Sequence, residues 1–257
     1  MIYNEDCVIT MRDRLAPESV DLIVTSPPYD KLRTYNGFCF DFEKVLLGMY
    51  KAIKPGGVVV WVVNDACVDG SRTGTSFKQA LEFMQVGFNL LDTMIWQKPN
   101  YAPLYPSVKR YDQNYEFMFI FSLGTPKTFN PIKDKPKSQA SIDRAKYPTS
   151  FIKPDGSRVR KPSTANDSLF CKRNQVWVIP NGQKRGLNHP APFPEALVHD
   201  HVVTWSNPGD LVYDPFMGSG TTGVVCKGLG RCWVGSEVSS DYCSAAEQRI
   251  LSVPEIK

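Results

Sequence analysis

Leu211-Val212-Tyr213-Asp214-Pro215-Phe216-Met217-Gly218-Ser219-Gly220-Thr221-Thr222 is the stretch whose reading decides the fold. A short apolar run ending in an acid reads as a buried strand, and Pro215 closes it. Gly218 and Gly220 let the backbone turn tightly and approach a ligand, and residues 221–229 then read as a helix. Strand, glycine turn and helix in succession set backbone N–H groups and the positive end of a helix dipole beside a sheet edge. Glu237 follows the next strand, 231–235, about 20 residues on, where a carboxylate can accept both hydroxyls of a ribose.

That pairing suits a nucleoside-bearing cofactor, although Gly-x-Gly alone is a weak signal. A phosphate loop ending in Lys-Ser/Thr is absent, and Asp214 at the strand end would repel a pyrophosphate. A cationic, phosphate-free nucleoside such as S-adenosylmethionine fits better. Asp214 would then face its ammonium and the helix N-terminus its carboxylate.

Working outward, the chain alternates strands and helices. Strands are predicted at 2–3, 20–24, 58–63, 90–96, 115–121, 175–179, 211–213 and 231–235. Helices are predicted at 8–15, 42–53, 76–86, 195–205, 221–229 and 241–251. Lys54-Pro55-Gly56-Gly57 is read as stopping the second helix, and a proline at its first turn opens the helix at 195. Asn64-Asp65 should lie at the carboxyl edge, where α/β sheets place ligands. The alternation predicts an α/β fold, a mostly parallel sheet with helices on both faces.

The strand at 20–24 ends in Thr25-Ser26-Pro27-Pro28-Tyr29. Two prolines fix two φ angles and remove two donors, which leaves a stiff turn holding a hydroxyl, carbonyls and a ring in fixed relation. Residues 30–40 after it read as a loop at the edge of a site and include Arg33. The loop at 99–111 interleaves Tyr101, Tyr105 and Tyr111 with Lys109 and Arg110, which suits phosphate contact and base stacking.

The net charge of +4 over 257 residues hides an asymmetry. Residues 125–188 hold 14 Lys and Arg against 4 Asp, a net +10, which leaves −6 on the rest. A basic insert on an acidic scaffold is what a polyanion-binding module looks like. Arg158, Arg160, Lys161, Lys172 and Arg173 are its candidate contacts. The insert has little periodicity and is too long for an idle connector.

Seven cysteines with no Cys-x-x-Cys pair indicate reduced thiols. Neither a signal peptide nor an apolar run of membrane-spanning length is visible. A cytoplasmic protein without a membrane partner is expected. His199-Asp200-His201 has metal-like residue types, but alternation on a helix points them apart, so no metal is expected.

Asp214-Pro-Phe-Met-Gly-Ser-Gly-Thr-Thr together with Thr25-Ser-Pro-Pro-Tyr resembles the amino-methylating DNA methyltransferases, which act on cytosine N4 or adenine N6. The order is the catalytic motif first, then the basic insert, then the cofactor loop. It is similar to the circularly permuted β group of that family. Lys54-Pro-Gly-Gly, His189-Pro-Ala-Pro-Phe-Pro-Glu and Gly235-Ser-Glu extend the match over nearly the whole chain.

The resemblance implies a Rossmann-like S-adenosylmethionine-dependent catalytic domain from 1–124 and 189–257, with a target-recognition insert at 125–188. It implies that Asp214, Phe216, Gly218, Gly220, Thr221 and Glu237 hold the cofactor. His189 and Phe193 would close over it, and Asp6 would approach its adenine, although an Asp there is more often a helix cap. Ser26 and Pro27 would accept the amine hydrogens of a flipped base, with Pro28 stiffening the turn and Tyr29 stacking on the base.

Double-stranded DNA is the implied partner. An insert this small covers little DNA, which suggests a short site or a homodimer. Whether a cognate restriction endonuclease accompanies the chain stays open. Carbon-5 cytosine methylation needs a nucleophilic cysteine, usually in a Pro-Cys pair, and none occurs. Ser before Pro-Pro leans towards cytosine N4, with adenine N6 as the alternative. An RNA or protein methyltransferase and an inactive DNA-binding relative are the remaining readings. Asn-Pro-Pro-Tyr is commoner in protein-glutamine enzymes, and the basic insert favours a long polyanion.

Overall fold

Apolar strands alternate with capped helices along most of the chain. The structure is a computed structural model; it describes residues 1–28, 41–104, 107, 109–161, 169–182 and 193–254, apart from the side chains of 145, 149 and 161. Tyr29, Arg33 and His189 lie outside the described residues. In chain order the elements are β1 (Ile2–Tyr3), α1 (Cys7–Asp13), β2 (Val20–Thr25), α2 (Phe42–Ala52), β3 (Ile53–Val63), β4 (Cys67–Val68), β5 (Ser71–Arg72), α3 (Thr75–Val86), β6 (Asn89–Gln97) and β7 (Tyr115–Ser122). There follow β8 (Lys135–Pro136), α4 (Gln139–Ala145), β9 (Thr149–Ile152), β10 (Arg158–Lys161), β11 (Phe170–Cys171), β12 (Val176–Val178), α5 (Glu195–Trp205), β13 (Leu211–Asp214), α6 (Thr221–Gly228), β14 (Cys232–Ser236) and α7 (Ser240–Leu251).

The chain divides into two compact units, one of Met1–Asn130 with Gln175–Lys257 and one of Pro131–Asn174. Among the described residues the larger unit is built on an eight-stranded sheet in the order β1-β14-β13-β2-β3-β7-β6-β12. β1, β14, β13, β2 and β3 run parallel to one another, whereas β7 is antiparallel to both β3 and β6. The sheet is thus mostly parallel, as the alternation predicts.

Burial on both faces explains the continuous apolar runs of β2 and β3. With a side-chain period of two, Val59, Trp61 and Val63 face one way and Val58, Val60 and Val62 the other, and all are at most 1% exposed. The first set packs with Met11 of α1, Met49 of α2 and Phe83 of α3. Phe83 stacks on Phe121 of β7 with ring centres 4.2 Å apart. α5 packs against β2 through a helix whose Leu197, Val198 and Val202 are fully buried.

Helix starts follow from short polar caps. The Asp6 carboxylate accepts from Val8 N–H, Asp41 from Lys44 N–H and Ser239 from Tyr242 N–H. Two boundaries differ from the sequence reading. Lys54-Pro55-Gly56-Gly57 does not separate helix from strand; β3 begins at Ile53. Val20 pairs with Ile53 and Leu22 with Val58, so residues 54–57 bulge opposite Asp21. Gly56 takes φ +81° there, and Lys54 Nζ donates to both Asp21 oxygens at 2.7 Å. Pro194 caps α5 from outside its first turn, at φ −65° and ψ 128°.

Asp65 is also set differently from a ligand-facing acid. It is 6% exposed and accepts from Ser76 N–H at 2.8 Å and Ser76 Oγ at 2.9 Å, holding the first turn of α3.

The smaller unit lies inside residues 125–188. β8 pairs with β11, α4 is capped by Ser138, and β9 and β10 form an antiparallel hairpin. Its turn is closed by Lys153 N–H to Ser157 O and Gly156 N–H to Lys153 O, with Gly156 at φ +81°. These elements escaped the sequence reading because polar residues occupy both faces of the strands, so no apolar alternation marks them. Among the described residues no helix is long and apolar enough to cross a membrane.

Candidate active site

Five parallel strands deliver their carboxyl ends to one edge of the sheet. Tyr3, Ser236, Asp214, Thr25 and Val63 end β1, β14, β13, β2 and β3. The residues that follow them, Asp6, Glu237, the 215–220 loop, Ser26-Pro27-Pro28 and Asn64, therefore gather where a ligand can meet several loops.

Asp214 organises this edge. It is 3% exposed, and its Oδ1 accepts from Thr25 Oγ1 at 2.7 Å and from Phe216 N–H at 3.0 Å. Its Oδ2 accepts from Thr222 Oγ1 at 2.6 Å. One carboxylate thus ties together the end of β2, the start of the glycine loop and the first turn of α6. Burial raises its pKa to about 6; the Thr222, Thr25 and Phe216 donors pull the other way, and the Glu237 charge adds to the rise.

Glu237 closes the loop from the neighbouring strand. Its Oε2 accepts from Gly218 N–H at 2.8 Å and its Oε1 from Ser239 N–H at 2.9 Å. It is half-buried, and that burial raises its pKa. Its backbone is held in turn by Tyr3 O and by Asn4 Nδ2.

The glycines have separate reasons. Gly218 and Gly220 adopt φ +50° and +79°, a region that a side chain disfavours. A Cβ at Gly235 would lie 2.1 Å from Met217 Cε and 3.1 Å from both Met217 Cβ and Cγ. Gly235 therefore lets the loop lie on β14, where Met217 N–H donates to Ser236 O at 2.9 Å.

Arg249 of α7 braces the loop from the far side. It donates to Ser219 O at 2.9 Å and Thr221 Oγ1 at 3.0 Å, and pairs with Glu195 at the start of α5. Thr221 Oγ1 also donates to Phe193 O at 3.2 Å, joining the loop to the segment before α5. Phe216 packs edge-on to Trp61, with ring centres 6.4 Å apart.

The structure thus brings together Asp214, Phe216, Gly218, Gly220, Thr221, Glu237 and Phe193, with Thr25 carrying the link to Ser26. Ser26 and Pro28 are partly exposed, while Pro27 is buried. Asp6 is exposed and caps α1 at the same edge. The sequence reading missed Thr25, Thr222, Glu195 and Arg249 as parts of the site. Thr25 and Thr222 lie inside quoted motifs, whereas nothing local marks Arg249.

The candidate DNA contacts fall into both units. Lys109 and Arg110 are exposed in the larger one, and the Arg110 guanidinium rests on Cys67 Sγ. In the smaller unit Arg158 and Arg160 are exposed on β10, which also carries Lys161, and Lys172 is exposed. Arg173 is paired with Asp134 at 2.6 Å. Of the His199-Asp200-His201 run, His201 is fully buried and stacked on Trp177, while His199 is half-exposed beside Asp200.

The donor set fits a cationic nucleoside cofactor. Asp214 and Glu237 bring negative charge and the loop brings backbone N–H groups, while Arg249 is already engaged by Glu195, Ser219 and Thr221. A pyrophosphate would meet two carboxylates there.

A family model described as DNA methylase, of the N6/N4 methyltransferase type, matches residues 20–248. The orphan methyltransferase M.BamHII of Bacillus amyloliquefaciens is 44% identical over 246 residues, covering 93% of this chain and 92% of that protein. The type II methyltransferase M.SmaI of Serratia marcescens is 28% identical over 281 residues, covering 92% and 86%.

Among solved structures, the cytosine-N4-specific PvuII DNA methyltransferase shares the fold at TM-score 0.69 and 22% identity, over 96% of this chain and 85% of that one. The M1.HpyAVI–SAM complex is 26% identical at TM-score 0.63, over 97% and 98%. A family model spanning most of the chain and a relative this similar over more than nine-tenths of its length agree with the glycine loop and its acids: the chain belongs to the N6/N4 DNA methylase family and is an S-adenosylmethionine-dependent DNA methyltransferase.

Proposed function

We propose that this methyltransferase modifies the exocyclic N4 of cytosine in double-stranded DNA, after the base is flipped from the helix at a cost of a few kcal/mol. The observation that carries the reading is Ser26, a neutral hydroxyl rather than an acid or amide, at the end of β2 before buried Pro27. An exocyclic amine is a poor nucleophile because its lone pair is delocalised into the ring. Ser26 Oγ and the Pro27 carbonyl accept its two N–H hydrogens and draw the nitrogen towards tetrahedral geometry, which frees the lone pair. Pro27 and Pro28 keep these acceptors aimed before the base arrives, a form of electrostatic preorganisation. S-adenosylmethionine, when bound, supplies an electrophilic methyl group on a positively charged sulfur. Asp6, Asp214, Phe216, Gly218, Gly220, Thr221 and Glu237 form its proposed cradle, together with Phe193. The nitrogen loses its proton only after it has become cationic, so a strong general base is not required.

Within residues 125–188 we assign target recognition to the compact unit Pro131–Asn174, on its basic charge and on exposed Arg158 and Arg160 two residues apart on one face of β10. Side chains on such a hairpin suit groove contact, because a two-stranded ribbon fits the major groove. The type II name of M.SmaI favours a modification role of the restriction-modification kind, whereas the name of M.BamHII, an orphan methyltransferase, favours action without a paired endonuclease; either role is carried out in the cytoplasm with the DNA.

A homodimer is supported by an apolar stripe on α3, Phe77, Leu81 and Met84, which are 53%, 59% and 47% exposed. Lys78 and Glu82 flank it, a charge pair that complements itself across a two-fold axis. Sedimentation should show a dimer that Leu81→Asp dissociates; a wild-type monomer overturns this part.

The decisive experiment transfers labelled methyl groups to duplex DNA and digests it to nucleosides. N4-methyldeoxycytidine is expected. N6-methyldeoxyadenosine alone would replace cytosine by adenine as the target, and equal labelling of structured RNA would overturn DNA as the preferred substrate.

A further inference from the structure

We propose that Thr25 is a positioning residue for methyl transfer, holding the base-acceptor turn in register with the cofactor loop through Asp214. The proposal rests on the reading of Ser26 and Pro27 as the acceptors of the amine hydrogens. Thr25 is fully buried and directly precedes Ser26, and its Oγ1 donates to Asp214 Oδ1 at 2.7 Å across 189 residues of chain.

The same oxygen accepts from Phe216 N–H, and the carboxylate's other oxygen accepts from Thr222 in α6. Two loops that bind different molecules, one the cofactor and one the flipped base, thus share one buried carboxylate. β2 and β13 are already paired through Leu22 and Ile23, but that register ends two residues short of Thr25. Beyond it, this hydroxyl carries a side-chain bond from the end of β2 to the carboxylate that starts the loop.

The chemical demand is geometric. An in-line attack needs nitrogen, methyl carbon and sulfur aligned, and a misplacement of about 1 Å costs about 100-fold in rate. Neither Ser26 nor the glycine loop can set that alignment alone, because each positions only one reactant. A rigid link between them sets it. Thr suits the position because its branched Cβ favours strand geometry while its hydroxyl reaches sideways to the next strand.

The test compares wild type, Thr25→Val and Thr25→Ser. Valine keeps the shape and removes the donor; serine keeps the donor and loses a methyl group. Three quantities are read: S-adenosylmethionine affinity by calorimetry, DNA affinity, and the single-turnover rate of methyl transfer. For Thr25→Val the rate is expected to fall between 10-fold and 100-fold while both affinities change less than about 3-fold. Thr25→Ser should recover most of the rate.

An unchanged rate in Thr25→Val overturns the proposal. So does a fall in rate matched by an equal loss of cofactor affinity, or a serine variant as impaired as valine. If the valine variant fails to fold, Thr25→Ala, which likewise removes the donor, is scored by the same criteria. Failure of the underlying reading is distinct, because then Ser26→Ala leaves the single-turnover rate of otherwise wild-type enzyme unchanged.

Discussion

Replacing Asp214 by Asn should stabilise the fold near neutral pH, and by an amount that depends on pH. The wild-type carboxyl is buried and its pKa rises from 3.8 to about 6. Below 3.8 both folded and unfolded chains hold the proton, and the group contributes nothing. Between 3.8 and 6 the unfolded chain releases its proton while the folded one keeps it, so stability falls as pH rises. Above 6 the loss is complete, at about 3 kcal/mol for that gap in pKa. About 1 kcal/mol of it accrues between pH 5 and pH 7.

Asn has nearly the same shape and no charge. It keeps an oxygen for Phe216 N–H and the Thr25 hydroxyl, and Thr222 can turn its own hydroxyl to accept from the new amide. Urea unfolding of both proteins across pH 5–7 measures the difference directly. The variant's relative stability should rise by about 1 kcal/mol over that range and then level off. A difference that is flat, or that moves the other way, would refute the placement of a costly buried charge at this position. Methyl transfer should fall in the same variant, the stability having been given up for a charged anchor at the site.

Other consequences are simpler. Gly235→Ala places a methyl group against Met217 and should cost about 1–3 kcal/mol by overpacking, together with weaker cofactor binding read by calorimetry. Arg249→Met removes the brace between α7, the glycine loop and Glu195. It should cost about 1 kcal/mol in thermal unfolding and raise the cofactor dissociation constant, while DNA affinity stays unchanged. In Arg158→Ala/Arg160→Ala, the slope of log affinity for DNA against log salt should become shallower by about 2 if both arginines meet phosphates. An unchanged slope with relaxed sequence preference would place them on base edges instead.

Much of this architecture was legible because burial on both faces writes itself into sequence as unbroken apolar runs. β2, β3 and β13 carry such runs, and two of them are followed by strong breakers, the Pro-Pro pair after β2 and the glycine loop after β13. What was not legible lies mostly in partnerships across long separations. Nothing near Asp214 says that its oxygens belong to Thr25, and nothing near Arg249 says that it holds Ser219. The helix does end before Lys54-Pro55-Gly56-Gly57, but these four residues are not the gap before the strand that local breakers predict: Asp21 on the next strand turns them into a bulge of β3. Asp65 looked like a ligand-facing acid from its place after β3, and only the tertiary structure shows it occupied with Ser76. The β9–β10 hairpin has too little apolar contrast to announce itself.

The contact between Trp61 and Phe216 has an optical consequence. Trp61 is fully buried, its Nε1 donates to Gln79 at 2.9 Å, and its ring borders the side chain that opens the glycine loop. An indole in that position is shielded from aqueous quenchers and senses movement of its neighbour. With Phe substituted at Trp96, Trp177, Trp205 and Trp233, the emission of Trp61 becomes a reporter of cofactor arrival. Its blue-shifted band and resistance to acrylamide follow from its burial, and a change in lifetime on adding S-adenosylmethionine would time the loop's response without any attached dye.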